Sequence, residues 1–312
     1  MHKNRLIIRD LPSQWMELMD LTLEKEEERK ALKRLDYGVA VTDVQRAQKL
    51  FSAVKEATGV VLHTGEGDER HNPHLEISRC MECLSRETLR LYGVFLPMTL
   101  ILLSVTFLFP AGGIEMWGIR VCILLILVFP IIYRHRRRFN ITHDCMYRRE
   151  ADGKSVVEID QLPEKQFISY VANKYAHHVF CSKYEDLHDL WVKEGWCRLV
   201  QWAVVNYFYG REGNPAYLGH VLEQIVGELK CACEMVAMSL RMRPPAPLRR
   251  IKTPYSTNSL AAFITGKPLF DVHRHVLHSV GTARFFLAAK KWGIDEVLRN
   301  PYRVVEGVSR TD

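Results

Sequence analysis

Two apolar runs stand out in the pattern of apolar and polar positions, the first without a charge and the second with Glu115 and Arg120 near its start. The first, "LYGVFLPMTLILLSVTFLF", covers Leu91 to Phe109, nineteen residues with Pro97 among them. The second, "IEMWGIRVCILLILVFPIIY", covers Ile114 to Tyr133, and its unbroken apolar part is Val121 to Tyr133. A helix needs about 20 apolar residues to cross the hydrocarbon of a bilayer. Proline is tolerated there because neighbouring groups satisfy the freed carbonyl. The short link "PAGGIEM" would turn the two runs into an antiparallel hairpin. Arg134, Arg136, Arg137 and Arg138 follow the second run directly, and Arg79, Arg86 and Arg90 precede the first. The positive-inside rule then places both ends of the chain on one side. Trp117 and Tyr133 mark the edges of the second run as an aromatic belt would. With the four arginines they are the expected lipid-headgroup contacts, each arginine contributing about 1 kcal/mol against anionic lipid. The pattern predicts a mainly α protein, a two-span transmembrane helical hairpin with helical extramembrane regions before and after it.

Outside those runs the periodicity is helical nearly throughout. "PSQWMELMDLTLEKEEERKALKRLDYG" carries Trp15, Leu18 and Met19, then Leu32 and Leu35, among dense charge, and Gly38 could end it. In "TDVQRAQKLFSAVKEATG", Thr42 and Gln45 form a capping box, Val44, Ala47, Phe51 and Val54 form one stripe, and Gly59 suits a C-terminal cap. A further helix is expected from His74 into the first span. "CMYRREADGKSVVEID" reads as a hairpin about Asp152-Gly153. Three long helices follow: one after Pro163, one ending at Gly210, and one opened by Asn214 and Pro215. "RPPAPLRRIKTP" reads as an extended, basic connector. The last long helix is capped by Asp271 and stops near Gly293. The expected divisions are 1–73, 74–139 with spans at about 91–109 and 114–133, and a C-terminal helical domain over 140–312.

Composition changes the picture little. The chain has 312 residues, 47% hydrophobic, with a formal net charge of +7. A multi-span transporter would be more apolar. The eight cysteines are scattered, which suits free thiols in a reducing compartment better than a disulfide framework.

Four groups of residues invite a chemical reading. His71-x2-His74 precedes Cys80-x2-Cys83, and imidazole with thiolate is a zinc donor set. The five residues between the pairs are few for a folded knuckle. Glu185-x-x-His188 and the reversed His220-x-x-Glu223 carry the donors of a carboxylate-bridged di-iron bundle. His273, His275 and His278, with His177 and His178 elsewhere, resemble histidine boxes loosely and read better as packing residues. Cys231 and Cys233 would point apart on a helix. Walker A, G-x-G-x-x-G, G-x-S-x-G and H-E-x-x-H motifs are all absent.

These features point to a non-catalytic accessory or scaffold subunit of a larger membrane complex, for example a respiratory complex or ATP synthase. The expected compartment is the mitochondrial inner membrane with both termini in the matrix. An ER or bacterial inner membrane with cytosolic termini is the alternative. Other subunits and an anionic phospholipid such as cardiolipin are the expected partners. Arg241, Arg243, Arg249, Arg250 and Lys252 are the expected partner-binding residues. No cofactor is called for, and no nucleic acid, since the aromatic residues that adjoin Arg134–Arg138, Tyr133 and Phe139, sit at the expected membrane boundary. The alternatives are a membrane-anchored zinc or di-iron enzyme and a lipid-binding or membrane-shaping protein.

Overall fold

The structure is a computed structural model that describes residues 8, 10–32, 43–64, 73–78, 104, 146–149, 154–160, 162–251 and 269–309. The chain divides into two units, residues 1–77 with 145–312, and residues 78–144. The elements below belong to the first unit.

A 3-10 turn, Leu11–Gln14, leads into α1, Trp15–Ala31. The second helix, α2, spans Val44–Leu62. Strands β1 (His74–Ser78), β2 (Met146–Arg149) and β3 (Ser155–Asp160) form a small sheet in the order β1-β3-β2. Four long helices make the body: α3 (Glu164–Lys183), α4 (Leu190–Glu212), α5 (Ala216–Ser239) and, after the short α6 (Ala246–Arg250), α7 (Leu269–Trp292). Two short helices, α8 (Ile294–Arg299) and α9 (Tyr302–Ser309), follow.

α4 is the central rod. It packs on α3, α5 and α7, and it is buried without a break from Glu194 to Trp202. A helix with no exposed face in mid-length must be surrounded by others, which is why its sequence is apolar on nearly every side. α1 lies against α5, and α2 lies across α3 and α4. Where α4 crosses α7 the backbones touch. A Cβ on Gly195 would stand 2.6 Å from Phe285 Cδ2, and one on Gly281 would stand 2.9 Å from the Gly195 nitrogen. Only a residue without a side chain lets two helices approach this closely.

β2 and β3 pair antiparallel with Tyr147 opposite Val157, as a hairpin requires, and Asp152 and Gly153 lie outside the described residues. Local boundaries differ from expectation for definable reasons. Asp43 caps α2, its carboxylate accepting from Arg46 N at 2.7 Å, and Thr42 lies outside the described residues. Gly59 stays helical, and His63, with φ of 50°, closes the helix instead. His74 opens a strand and not a helix. α4 continues past Gly210 to Gly213, whose φ of 65° makes the stop. The Pro-rich connector folds into α6 with Leu248 and Ile251 buried.

The two-span transmembrane reading is corrected. Among the described residues no helix is long and apolar enough to cross a membrane. The long helices of the body carry ionised side chains within their apolar stretches, Glu194 and Arg198 in α4 and Glu223, Glu228 and Lys230 in α5. The segments 91–109 and 114–133, with Trp117, Tyr133, Arg134, Arg136, Arg137 and Arg138, lie outside the described residues. The integral-membrane localisation, whether mitochondrial, ER or bacterial, rested on those spans and is withdrawn with them.

Candidate functional site

A seam of polar side chains runs through the helical core. On α4 the residues Glu194, Arg198 and Gln201 recur at steps of four and three, which keeps them on one face. On α5 His220, Gln224 and Glu228 recur at steps of four. α3 contributes Ser169 and His177, and α7 contributes His278 and Thr282. Glu194, Arg198, Gln201, Gln224, Glu228, His177 and Thr282 are all buried.

The middle of the seam is densely bonded. Arg198 donates to Glu228 from Nε at 3.0 Å and from Nη2 at 2.5 Å. Its Nη1 donates to Gln224 Oε1 at 2.7 Å and to Gln201 Oε1. Thr282 Oγ1 donates to Glu228 Oε2 at 2.6 Å, so α4, α5 and α7 meet on one carboxylate. Gln201 Nε2 donates to Ser169 Oγ at 2.8 Å and to Ser169 O at 2.9 Å, which brings in α3. At the far end Gln224 Nε2 lies 3.3 Å from His220 Nε2, whose ring packs against Tyr170 with centroids 5.0 Å apart. Burial opposes the charge on Glu228, yet the Arg198 guanidinium and the Thr282 hydroxyl hold its carboxyl below the usual range.

One turn up α4, where the glycines cross, the pairing is looser. Glu194 Oε2 lies 3.3 Å from His177 Nε2 and 3.5 Å from His278 Nε2. His177 Nε2 and Glu194 Oε1 are buried without a hydrogen bond among the described residues. Burial presses His177 towards its neutral form, the facing Glu194 pulling the other way but less. Burial also opposes the charge on Glu194, but the imidazoles of His177 and His278 prevail and hold its carboxyl well below the carboxylate range. Beside them burial pushes the Cys197 thiol far up, and Glu194 adds to that, so it is no nucleophile at neutral pH. A turn further on, Trp191 faces the Arg284 guanidinium at 4.3 Å, and Arg284 Nε donates to Asp10 Oδ2 at 3.0 Å.

The residues singled out in the sequence are dispersed. Glu185 and His188 sit exposed in the loop between α3 and α4, so the i,i+3 geometry of a di-iron helix does not arise. His220 joins the seam, whereas Glu223 is half-buried on α5, its charge reaching Arg29 of α1. His74 is exposed on β1, while His71, Cys80 and Cys83 lie outside the described residues. Among the described residues no three His, Cys, Asp or Glu side chains are arranged to hold a metal ion. Cys231 and Cys233 do point apart, Cys231 towards Ser279 of α7 and Cys233 towards Thr22 of α1, and burial raises both thiols to about 12. Arg241, Arg243, Arg249 and Arg250 are exposed, and Lys252 lies outside the described residues.

The sequence reading missed Glu194, Arg198, Gln201, Gln224 and Glu228. The signal was available: polar residues at helical spacing within "WVKEGWCRLVQWAVV", a stretch otherwise apolar on all sides. No protein-family model matches the chain, and neither a curated protein nor a solved structure resembles it.

Proposed function

We propose that this chain is a non-catalytic scaffold or accessory subunit that presents a fixed helical surface to other proteins of an assembly. The observation that supports this is the bonding of Arg198. Its guanidinium is spent on Glu228, Gln201 and Gln224, side chains of the two helices α4 and α5, and Glu228 in turn takes Thr282 from α7. Buried groups bonded to one another fix helix register, because any slip leaves a buried charge unpaired. A scaffold needs that fixed register, since its surface works only if its helices hold one arrangement.

The test is isolation of the full chain under gentle conditions, with light scattering for mass and elemental analysis for metal. The expected result is co-migration with other proteins at fixed stoichiometry and no stoichiometric metal. A chain that runs alone and carries about one iron or zinc per molecule would replace this reading with the metal-enzyme one.

A further inference from the structure

The C-terminal end of α5 breaks the burial pattern of the body. Met238, Leu240 and Met242 are 61%, 41% and 49% exposed, and Met16 on α1 is 60% exposed. α1 runs antiparallel to α5, because Thr22 meets Cys233 while Arg29 feels Glu223. Met16 therefore lies towards the same end as Met238. Four of the six large apolar side chains standing exposed among the described residues gather at this one end.

This end is built, not frayed. Met242 N donates to Ala237 O at 2.8 Å and Arg241 N donates to Met238 O at 3.2 Å, the paired bonds of a Schellman cap. The residue at the left-handed position, φ of 56°, is Arg241, where glycine is the usual occupant. The chain then returns over the bundle, with Leu248 and Ile251 buried and Lys230 Nζ donating to Ile251 O at 2.9 Å. Strain kept at an exposed turn points to a use for the side chain held there.

The charge on the turn after α5 has one sign. Arg241, Arg243, Arg249 and Arg250 are exposed, and no acidic residue occurs from Met235 to Ile251. None of the four forms an ion pair with another described residue. Beside Met16 the acids Glu17 and Asp20 of α1 are exposed, their charges reaching Lys290 of α7, and Glu234 pairs with Lys230 at 3.5 Å.

We propose that this end of the bundle docks an acidic amphipathic helix of a partner protein, a statement that rests on the scaffold reading above and names what the scaffold holds. Methionines suit the apolar face of such a helix because their flexible thioethers adapt to its shape. The surrounding arginines complement carboxylates along its flanks. Recognition runs through side chains, because the backbone donors of the Schellman cap are already used.

The test uses the full chain and two dye-labelled peptides of about five helical turns, each with leucines on one face. One carries glutamates on the other face and its twin carries lysines. Anisotropy titration should show saturable binding of the glutamate probe, with the lysine twin about tenfold weaker or worse. Arg243→Glu with Arg250→Glu, and separately Met238→Ser with Met242→Ser, should each weaken the glutamate probe about tenfold, with helicity and thermal midpoint unchanged. Affinity should fall as salt rises from about 50 to about 300 mM. Absent or equal binding of the two probes, or indifference to both variants, overturns the proposal. Tight binding to vesicles of anionic lipid without binding of the glutamate probe reassigns the patch to a lipid surface. Self-association abolished by the arginine variant reassigns it to a second copy of the chain. A chain that travels in an assembly yet ignores both probes sinks this proposal and leaves the scaffold reading standing.

Discussion

Replacing Gly281 by alanine should be among the most damaging single-methyl changes in the body. The added Cβ would lie 2.9 Å from the Gly195 nitrogen, 3.1 Å from its Cα, and closer still to the Trp191 carbonyl oxygen. All three are backbone atoms of α4, so no rotamer change relieves them. The helices must part, and α7 then loses contact along the whole of the central rod. Overpacking of this kind costs about 1–3 kcal/mol, and here no neighbour can yield cheaply. Alanine is the better helix former by about 1 kcal/mol, which offsets part of the loss. The net expectation is destabilisation of about 2 kcal/mol, the crossing cost taken near the top of its range. Gly210 supplies the control. It lies in α4, the helix that Gly281 meets, and a Cβ there meets nothing within 4 Å. Gly210→Ala should therefore stabilise by up to about 1 kcal/mol through propensity alone. Urea unfolding followed by circular dichroism reads both, with unchanged slopes showing that the denatured state is the same. Equal shifts, or a stabilised Gly281→Ala, would refute the claim that backbone contact sets this crossing.

Arg198→Met strips Glu228 of its cation while leaving it buried, and should cost about 3–5 kcal/mol. Adding Glu228→Leu should recover most of that loss in urea titrations, and an additive double variant would rule out the pairing. Asp10→Ala removes the buried carboxylate that accepts from Arg284, and should cost about 3 kcal/mol and lower hydrogen-exchange protection in α1. Acid should destabilise the body through His177. Its folded pKa is depressed by burial, so on acidification the unfolded chain takes up the proton first. The associated stability is complete above about pH 6.5 and is lost as pH falls towards the folded value, by no more than about 1.4 kcal/mol per pH unit. Glu194, likewise depressed, contributes a second loss in the same direction at lower pH. His177→Phe should flatten the wild-type decline between about pH 7 and about pH 5. A wild-type chain that grew more stable over that interval would contradict the assigned direction.

Long helices were legible because their apolar stripes are strong: Val54 and Ala47 on α2, Phe167 and Val171 on α3, Val221 and Ile225 on α5 are all buried. Their ends were less legible, since several residues can satisfy one cap. Asp43 in place of Thr42 and Gly213 in place of Gly210 are such cases. The strand at His74 was hidden because its pairing partner β3 lies about eighty residues away in sequence, beyond the reach of any local pattern. The seam escaped for a related reason. Glu194 and Arg198 look like ordinary surface charges until α3, α5 and α7 close around them. The exposed arginines at 241–250, by contrast, were readable, because their run is basic and Pro-rich and carries too few apolar residues to be enclosed by other helices.

The first unit is completed across a long interruption in its own sequence, and this sets the order in which it can be made. Asp10 waits for Arg284, Thr22 for Cys233 and Arg46 for Glu164. A ribosome emitting about 5–20 residues per second leaves α1 without its partners for roughly ten seconds or longer. Through that interval Leu18 and Leu21 have no cover from α5. The young polypeptide thus exposes these leucines until α5 emerges, and crowded translation of this message should be where losses to aggregation concentrate.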